Sequence, residues 1–217
     1  MDFINDNIKP EHITENWEGK WKVFSWIEFV SAIPQVLFLI TTKKESGLSN
    51  LAFQSWSTFT GNGDNFYIIM GGVMKHTHTY KNMKRTNEFC INFVNIDHIE
   101  KCWKSIKEND IEKDEIINSG FHSTKCSSID CMGVKESFLR LECTFEWEKE
   151  LVKNSINTVV CGKVKNVFIL EDFAKASTTK RFSDKEYFMM HIHNPINPYT
   201  GEHLGSGVGY VNKILDM

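Results

Sequence analysis

The sequence lacks several features that would place it in a common class of protein. Its longest apolar run, Val36–Ile40, is much too short to cross a bilayer, and its first residues do not follow the basic-then-apolar order of a secretory signal. It has no Gly-x-Gly-x-x-Gly fingerprint of a nicotinamide-binding domain. Basic residues do not exceed acidic ones (25 against 28), so general nucleic-acid binding is not expected. These absences predict a cytoplasmic protein with no membrane and no nucleic-acid partner.

The six cysteines include no Cys-x-x-Cys pair and predict no disulfide framework. Cys90, Cys143 and Cys161 lie in apolar strand patterns and are interpreted as small core residues. Cys126 and Cys131 are predicted to lie in a solvated loop, where redox activity is a second interpretation. A reducing compartment is the simplest setting for this composition.

The chain does contain many short β patterns, and its 16 phenylalanines favour a β-rich core. Apolar periodicity predicts a fold that is mainly β, an antiparallel barrel with peripheral helices. The predicted strands are 36–42, 50–57, 66–70, 89–94, 137–150 and 158–168. The predicted helices are 14–31, 77–87 and 97–120, the first capped by Thr14. The predicted divisions are an N-terminal helical extension (1–31), a barrel domain (32–172) and a C-terminal arm (173–217).

Two segments carry the residue types of a ligand site. The first, Gly47–Ser57, contains Asn50, Ser55, Trp56 and Ser57, in which small polar side chains flank one aromatic. In a regular strand the two serines would face away from Trp56, but a bend at the strand end could change this. The second segment is Lys75–Asn92. Its candidates are Lys75, Thr77, His78 and Thr79, placed before a predicted helix whose N-terminus favours an anion. Taken alone, these hydroxyls would be ordinary helix caps and Trp56 an ordinary core residue.

The order of these segments resembles the flavin reductase–like family of FMN-binding split-barrel proteins. The resemblance covers most of residues 33–170. Its pieces are Pro34 with Val36–Thr42, Gly47–Ser57, Thr79–Met83, Glu88–Asn92, Leu141–Cys143 and Val159–Val164. It implies an antiparallel Greek-key split barrel and a homodimer with FMN near the subunit interface. The implied FMN-binding residues are Asn50, Ser55, Trp56, Ser57, Lys75, Thr77, His78, Thr79 and Asn157.

One departure from the family pattern concerns the reaction. Reductases of this family often have a His-bearing turn before the late strand, whereas the matching stretch here is Asn154–Thr158, with Asn157 in place of the histidine. An amide forms hydrogen bonds but cannot act as an acid. This weighs against NAD(P)H-dependent reduction of free flavin and leaves flavin binding unaffected.

The leading functional hypothesis is an FMN flavoprotein that passes electrons from a reductant, NAD(P)H or a redox partner protein, to a small acceptor or partner. The alternative is a non-catalytic protein that binds or stores flavin, or haem, on the same fold. A third hypothesis is a metal site built from the pairs His76/His78 and His191/His193, because residues two apart in a strand face the same way. The simpler interpretation of these pairs places one near the phosphate and the other on the arm.

Overall fold

Seven antiparallel strands form the main sheet of the computed structural model, which describes residues 7–107, 110–183 and 188–211. In spatial order the strands are β3 (Ser49–Gln54), β2 (Phe38–Lys43), β6 (Glu88–Phe93), β9 (Leu139–Lys149), β10 (Asn157–Ile169), β5 (Asn65–Met74) and β4 (Ser57–Asn62). The edge strands β3 and β4 are consecutive in the chain, and Ser55 and Trp56 join them. The sheet is therefore a barrel split between β3 and β4, which confirms the predicted mainly-β split-barrel fold.

Short helices and two small sheets surround the barrel. The helices are α1 (Lys20–Val23), α2 (Trp26–Ser31), α3 (His78–Thr86), a 3-10 turn (Ile96–His98), α4 (Ile99–Lys107), α5 (Glu115–Asn118), α6 (Glu171–Lys175) and α7 (Thr178–Ser183). One small sheet contains β1 (Gln35–Val36), β11 (Met189–Ile192) and β12 (Gly207–Tyr210), and the other pairs β7 (Ser123–Lys125) with β8 (Met132–Val134). In the part of the chain that the structure describes, no helix has the length and apolar character needed to cross a membrane.

Apolar side chains at alternate strand positions fill the barrel. Phe38 and Ile40 from β2 and Phe89 and Ile91 from β6 belong to one buried cluster, as the period of two requires. Gly162 of β10 packs against this cluster. A Cβ atom at that position would lie 2.2 Å from the Phe89 ring, so the close approach of the strand to this ring requires glycine.

The predicted helix 14–31 is wrong as a single element. The structure has α1 and α2 instead, separated at Phe24, which is extended. Gly19 precedes α1 with a positive φ of 83°, and Ser25 caps α2 by accepting a hydrogen bond from the Ile27 N–H at 3.3 Å. Thr14 caps no helix; its carbonyl accepts a hydrogen bond from His203 Nε2 at 2.7 Å.

The predicted strand 50–57 is also wrong in its extent. It ends at Gln54, the chain bends at Ser55–Trp56, and β4 begins at Ser57, so the anticipated bend is present and a strand was missed. Gly63 and Asp64 form the turn of the β4–β5 hairpin, in which Asn62 pairs with Asn65. The predicted helix 77–87 and strand 89–94 are confirmed as α3 and β6.

The predicted helix 97–120 is divided in the structure into the 3-10 turn, α4 and α5. Asp114 begins α5 by accepting hydrogen bonds from the backbone N–H groups of Ile116 and Ile117. Lys44 holds this region against the barrel. Its Nζ lies 2.9 Å from Glu115 Oε1 and donates to the Asp110 carbonyl at 2.6 Å. Residues 108–109 lie outside the described residues.

The C-terminal segment folds onto its own chain as far as it is described. β11 pairs with β1, and β12 pairs with β11. Residues 194–204 contact residues 10–31, and we call these two stretches together the terminal cap. Ile13, Phe29 and Ile196 form its buried centre, and the Ile196 N–H donates to the Phe29 carbonyl at 3.1 Å. Residues 1–6, 184–187 and 212–217 of the two predicted terminal segments lie outside the described ranges.

The cysteine prediction is correct for the strands and wrong for the loop. Cys90, Cys143 and Cys161 are buried, as expected. Cys126 and Cys131 are buried as well, and they pack with Cys90 and Ile129. Burial raises the pKa of the Cys131 thiol to about 12, so it is neutral at ordinary pH. Neither position therefore carries a solvated thiol.

Candidate functional site

The bend between β3 and β4 places Ser55, Trp56 and Ser57 at the split of the barrel. Trp56 has a positive φ of 54°, which is unfavourable for a bulky side chain. The Gly71 N–H donates to the Trp56 carbonyl at 2.7 Å and ties the bend to β5. The next residue, Gly72, also has a positive φ, of 62°. A residue held against its backbone preference in this way is typical of a functional site.

A main cavity of about 1020 Å³ opens beside this bend. Its walls come from the α1–α2 region, from Trp56, Ser57 and Thr58, from Gly71 and Gly72, and from the turn at 151–159 between β9 and β10. Phe24 closes one side by stacking on Trp56, with the ring centroids 5.1 Å apart and the planes inclined by 23°. Lys22 and Lys153 place cations on the wall of the same cavity.

Two polar side chains of this cavity differ in their hydrogen bonding. Ser57 Oγ is buried and has no hydrogen-bond partner among the described residues. Asn157 is fully engaged: its Nδ2 donates to the Val23 carbonyl at 2.8 Å, and its Oδ1 accepts from Ser155 Oγ at 2.8 Å. A buried hydroxyl without a partner costs free energy that a bound polar group can recover. The volume, the flat indole of Trp56 and the unpaired Ser57 hydroxyl fit a planar ring with a polar edge.

The remaining sequence-predicted site residues do not line the main cavity. Asn50 and Thr79 are buried together, and Asn50 Nδ2 donates to Thr79 Oγ1 at 2.9 Å. Thr77 caps α3: its Oγ1 accepts from the Tyr80 N–H at 3.3 Å and donates to the Met74 carbonyl at 2.8 Å. These side chains fix the orientation of α3 against the barrel.

Lys75 and His78 also lie away from the cavity wall. Lys75 Nζ forms an ion pair with Glu150 and donates to the Ser155 carbonyl at 2.8 Å. These two contacts stabilise the 151–159 turn. His78 is the first residue of α3, and its Nδ1 is buried with no partner among the described residues. The structure thus separates Trp56 and Ser57, which line the main cavity, from the residues predicted to bind phosphate.

A smaller pocket of about 380 Å³ lies on the other side of Trp56. It shares Phe24, Trp56 and Gly72 with the main cavity, and Ser55 lies on its wall. His191 and His193 of the C-terminal segment line it too, with their ring centroids 4.8 Å apart. The alternation of the His-x-His pair correctly predicted that the two imidazoles share a face. No local pattern of residues indicates that this face would meet Trp56.

Both imidazoles of this pair are held neutral. Burial lowers the pKa of His191. Burial, the repulsion that a protonated His191 would exert and the charge of Lys20 together lower the pKa of His193 to about 4. Within residues 7–107, 110–183 and 188–211, no cluster of three or more His, Cys, Asp or Glu side chains is close enough to hold a metal ion. The histidine pairs therefore bring together no multi-ligand metal centre in this part of the chain.

The comparison with family models gives one match. A model described as the flavin reductase like domain matches residues 30–188, which include every strand of the barrel. The match begins in α2 and therefore omits most of the N-terminal half of the terminal cap. A comparison with curated protein sequences finds no match.

Solved structures share the fold at low sequence identity. Nitrilotriacetate monooxygenase component B from Bacillus cereus has a TM-score of 0.74 at 16% identity, covering 100% of this chain and 98% of that chain. Flavoredoxin from Methanosarcina acetivorans has a TM-score of 0.65 at 17% identity, covering 85% of this chain and 88% of that chain. The 2-nitrobenzoate 2-nitroreductase of Pseudomonas fluorescens has a TM-score of 0.64 at 19% identity, covering 88% of each chain. The first of these similarities includes the extensions outside the barrel.

Proposed function

Because this chain belongs to the flavin reductase–like family, we propose that it is an FMN-binding oxidoreductase that passes electrons between a reductant and a small acceptor or partner protein. The observation that carries this proposal is a cavity of about 1020 Å³ beside the bend, whose wall includes Trp56 and Ser57, with the Ser57 hydroxyl left without a hydrogen-bond partner among the described residues. The flavin, when bound, supplies the hydride and electron chemistry. The protein supplies position, polarity and exclusion of water.

The residues of the bend have separate tasks in this proposal. Trp56 gives flat apolar cover, and Ser57 pairs with a polar atom at the ring edge. Gly71 and Gly72 bring backbone close to the ligand without side chains in the way. Asn157 does not contact the ring directly; it holds the 151–159 turn to the Val23 carbonyl and so shapes the cavity. Glu28 is the one acidic side chain among the described residues that line the cavity, and burial raises its pKa.

The central test is a titration of purified protein with FMN, followed by the change in flavin fluorescence. We expect Ser57→Val to weaken FMN binding by about tenfold, because one buried hydrogen bond contributes roughly 1–1.5 kcal/mol. The matched control is Thr60→Val on the exposed surface of β4, which should leave the affinity unchanged. Equal affinities in Ser57→Val and the unsubstituted protein would contradict the proposed ring contact.

The absorbance spectrum of the purified protein tests the alternative functions. A flavin spectrum supports the proposal, whereas a Soret band would show that the cavity binds haem. If the protein binds flavin but no donor reduces it, the storage function is favoured. The observation that supports this alternative is the Asn157 amide, which donates a hydrogen bond to the Val23 carbonyl.

The phosphate of FMN is proposed to lie toward Lys153 and Lys22, the cations on the wall of the main cavity. We expect Lys153→Gln to weaken FMN binding about three- to fivefold, since an exposed charge pair contributes up to about 1 kcal/mol. Riboflavin, which has no phosphate, should bind both forms equally. Lys149→Gln, on the exposed part of β9, is the control. If Thr79→Val shows this phosphate-specific loss and Lys153→Gln does not, the phosphate lies at the N-terminus of α3 instead.

We further propose that the protein is a homodimer. The turn at the mouth of the main cavity exposes Leu151 and Val152, which are 80% and 70% accessible, and Ile156 beside them is also exposed. Exposed apolar side chains grouped in this way favour a protein partner. Light scattering should give twice the 25.2 kDa of one chain. The double substitution Leu151→Glu, Val152→Glu should give a monomer; a dimer that persists in this variant places the interface elsewhere.

A further inference from the structure

The smaller pocket has a composition that the proposed flavin site does not explain. We call it the histidine pocket. Its walls include the aromatic and aliphatic side chains of Phe53, Trp56, Trp103 and Ile106, together with the two imidazoles of His191 and His193. Trp103 and Ile106 come from α4 and are partly exposed at the rim, so the pocket is open to solvent. A ligand can therefore enter without passing through the main cavity.

The histidine pocket carries no formal charge. Among the described residues that line it there is no Lys, Arg, Asp or Glu. Lys20 is not among the lining residues and is buried, with its Nζ 3.8 Å from the centre of the Phe29 ring, and its charge contributes to the lowered pKa of His193. Lys20 donates to Asn16 Oδ1 at 3.1 Å and lies 3.4 Å from His203 Nδ1. The side chains that line the pocket therefore offer no formal charge to an ionised ligand.

Unused hydrogen-bonding capacity is concentrated at one place in the pocket. His193 Nδ1 is buried and has no partner among the described residues. The His193 ring is fixed edge-on to Trp56, with the centroids 4.5 Å apart, and also packs on Phe24 and Phe29. The imidazole is therefore positioned by aromatic contacts, and its Nδ1 is left without a partner among the described residues. A neutral imidazole offers one donor and one acceptor.

We propose that the histidine pocket binds a neutral, planar aromatic compound of one or two rings, whose hydroxyl or carbonyl group pairs with the imidazole of His193. The aromatic walls provide the surface for the rings, and the volume of about 380 Å³ sets the upper limit of size. An aromatic carboxylate of the same shape should bind less tightly, because its charge would be desolvated among lining side chains that carry no formal charge. Binding here needs no flavin, so the inference stands apart from the proposed function.

The test compares two probes of one ring system, 2-naphthol and 2-naphthoate, by calorimetric titration of the protein at pH 7. We expect 2-naphthol to bind at least tenfold more tightly than 2-naphthoate. His193→Phe keeps an aromatic ring but removes both nitrogens, and it should weaken 2-naphthol binding about tenfold. His76→Gln, an exposed histidine outside the pocket, is the control and should bind as the unsubstituted protein does. Equal binding of the two probes, or an unchanged affinity in His193→Phe, overturns the proposal.

A second measurement requires no substitution. Nitrogen NMR of the imidazoles in the unsubstituted protein should show the His193 signal shifting when 2-naphthol is added, while the His76 signal stays in place. Added FMN separates this inference from the proposed function. If the sites are distinct, FMN changes the affinity for 2-naphthol only up to a plateau, whereas a loss that keeps growing with FMN concentration shows one shared site and overturns the inference. Binding of 2-naphthol by a protein that binds no FMN would defeat the proposed function alone.

Discussion

Replacing Lys44 with methionine is expected to lower the free energy of unfolding by about 3–5 kcal/mol, because it leaves a buried carboxylate without its cation. The Lys44 and Glu115 side chains are 3% and 2% accessible and lie 2.9 Å apart. Glu115 Oε2 also accepts from the Leu51 N–H of β3 at 2.8 Å, so the carboxylate cannot move into water without breaking this bond. Urea unfolding measures the loss as a lower midpoint, and the slope of the unfolding free energy against urea concentration should be the same in the variant and the unsubstituted protein.

The neighbouring residue provides the control for this substitution. Lys43 pairs with Asp130 at 2.6 Å, but both side chains are accessible to solvent, so Lys43→Met should cost less than about 1 kcal/mol. Adding Glu115→Gln to Lys44→Met should recover part of the loss, since the unpaired charge is then removed. Equal losses for Lys43→Met and Lys44→Met would show that the buried pair does not hold the α4–α5 region to the barrel.

The second large effect is expected at Gly201, in the terminal cap. Its φ is +74°, and a Cβ atom there would lie 2.1 Å from the His12 carbonyl oxygen, which is backbone and cannot rotate away. Gly201→Ala should therefore cost about 2–4 kcal/mol through the left-handed conformation and overpacking together. The His12 ring, whose Nε2 donates to the Pro198 carbonyl at 2.8 Å, would have to separate from the C-terminal segment.

Gly205→Ala is the matched control, because nothing lies within 4 Å of a Cβ atom at that position. Hydrogen exchange read by mass spectrometry should show faster exchange in residues 10–31 of Gly201→Ala, with the barrel strands unchanged. Uniform acceleration in all parts of the protein would mean that the cap is not a separate unit. Unchanged exchange throughout would mean that the two halves of the cap do not depend on this contact.

The barrel was predictable from the sequence because its strands have local signals. The alternation in β9 and β10 is long and regular, and the hydroxyls before α3 predicted a helix start that the structure confirms. The errors fall where tertiary contacts override local preference. The helix 14–31 has suitable apolar spacing, but its aromatic residues pack on the C-terminal segment and the helix breaks at Phe24. No short-range pattern reports such a contact.

The site was predictable in part for the same reason. Trp56 and Ser57 were identified because unusual residue types are adjacent in the chain. The contact of Trp56 with His191 and His193 depends on the pairing of β11 with β1. The β11 strand is more than 130 residues from Trp56 in the sequence. Thr79 illustrates the opposite case. Its hydroxyl is of the right type for a phosphate contact, but the partner in the fold is the Asn50 amide.

Trp56 is a wall of both the main cavity and the histidine pocket, and this has a thermodynamic consequence. A ligand that shifts the indole on entering one compartment changes the free energy of filling the other. Linkage requires the effect to be mutual: whatever factor an aromatic compound applies to the affinity for flavin, flavin applies to the affinity for that compound. Trp56, whose backbone φ of 54° is unfavourable, would then couple the two binding equilibria. The sign of their cooperativity would depend on which way the indole turns.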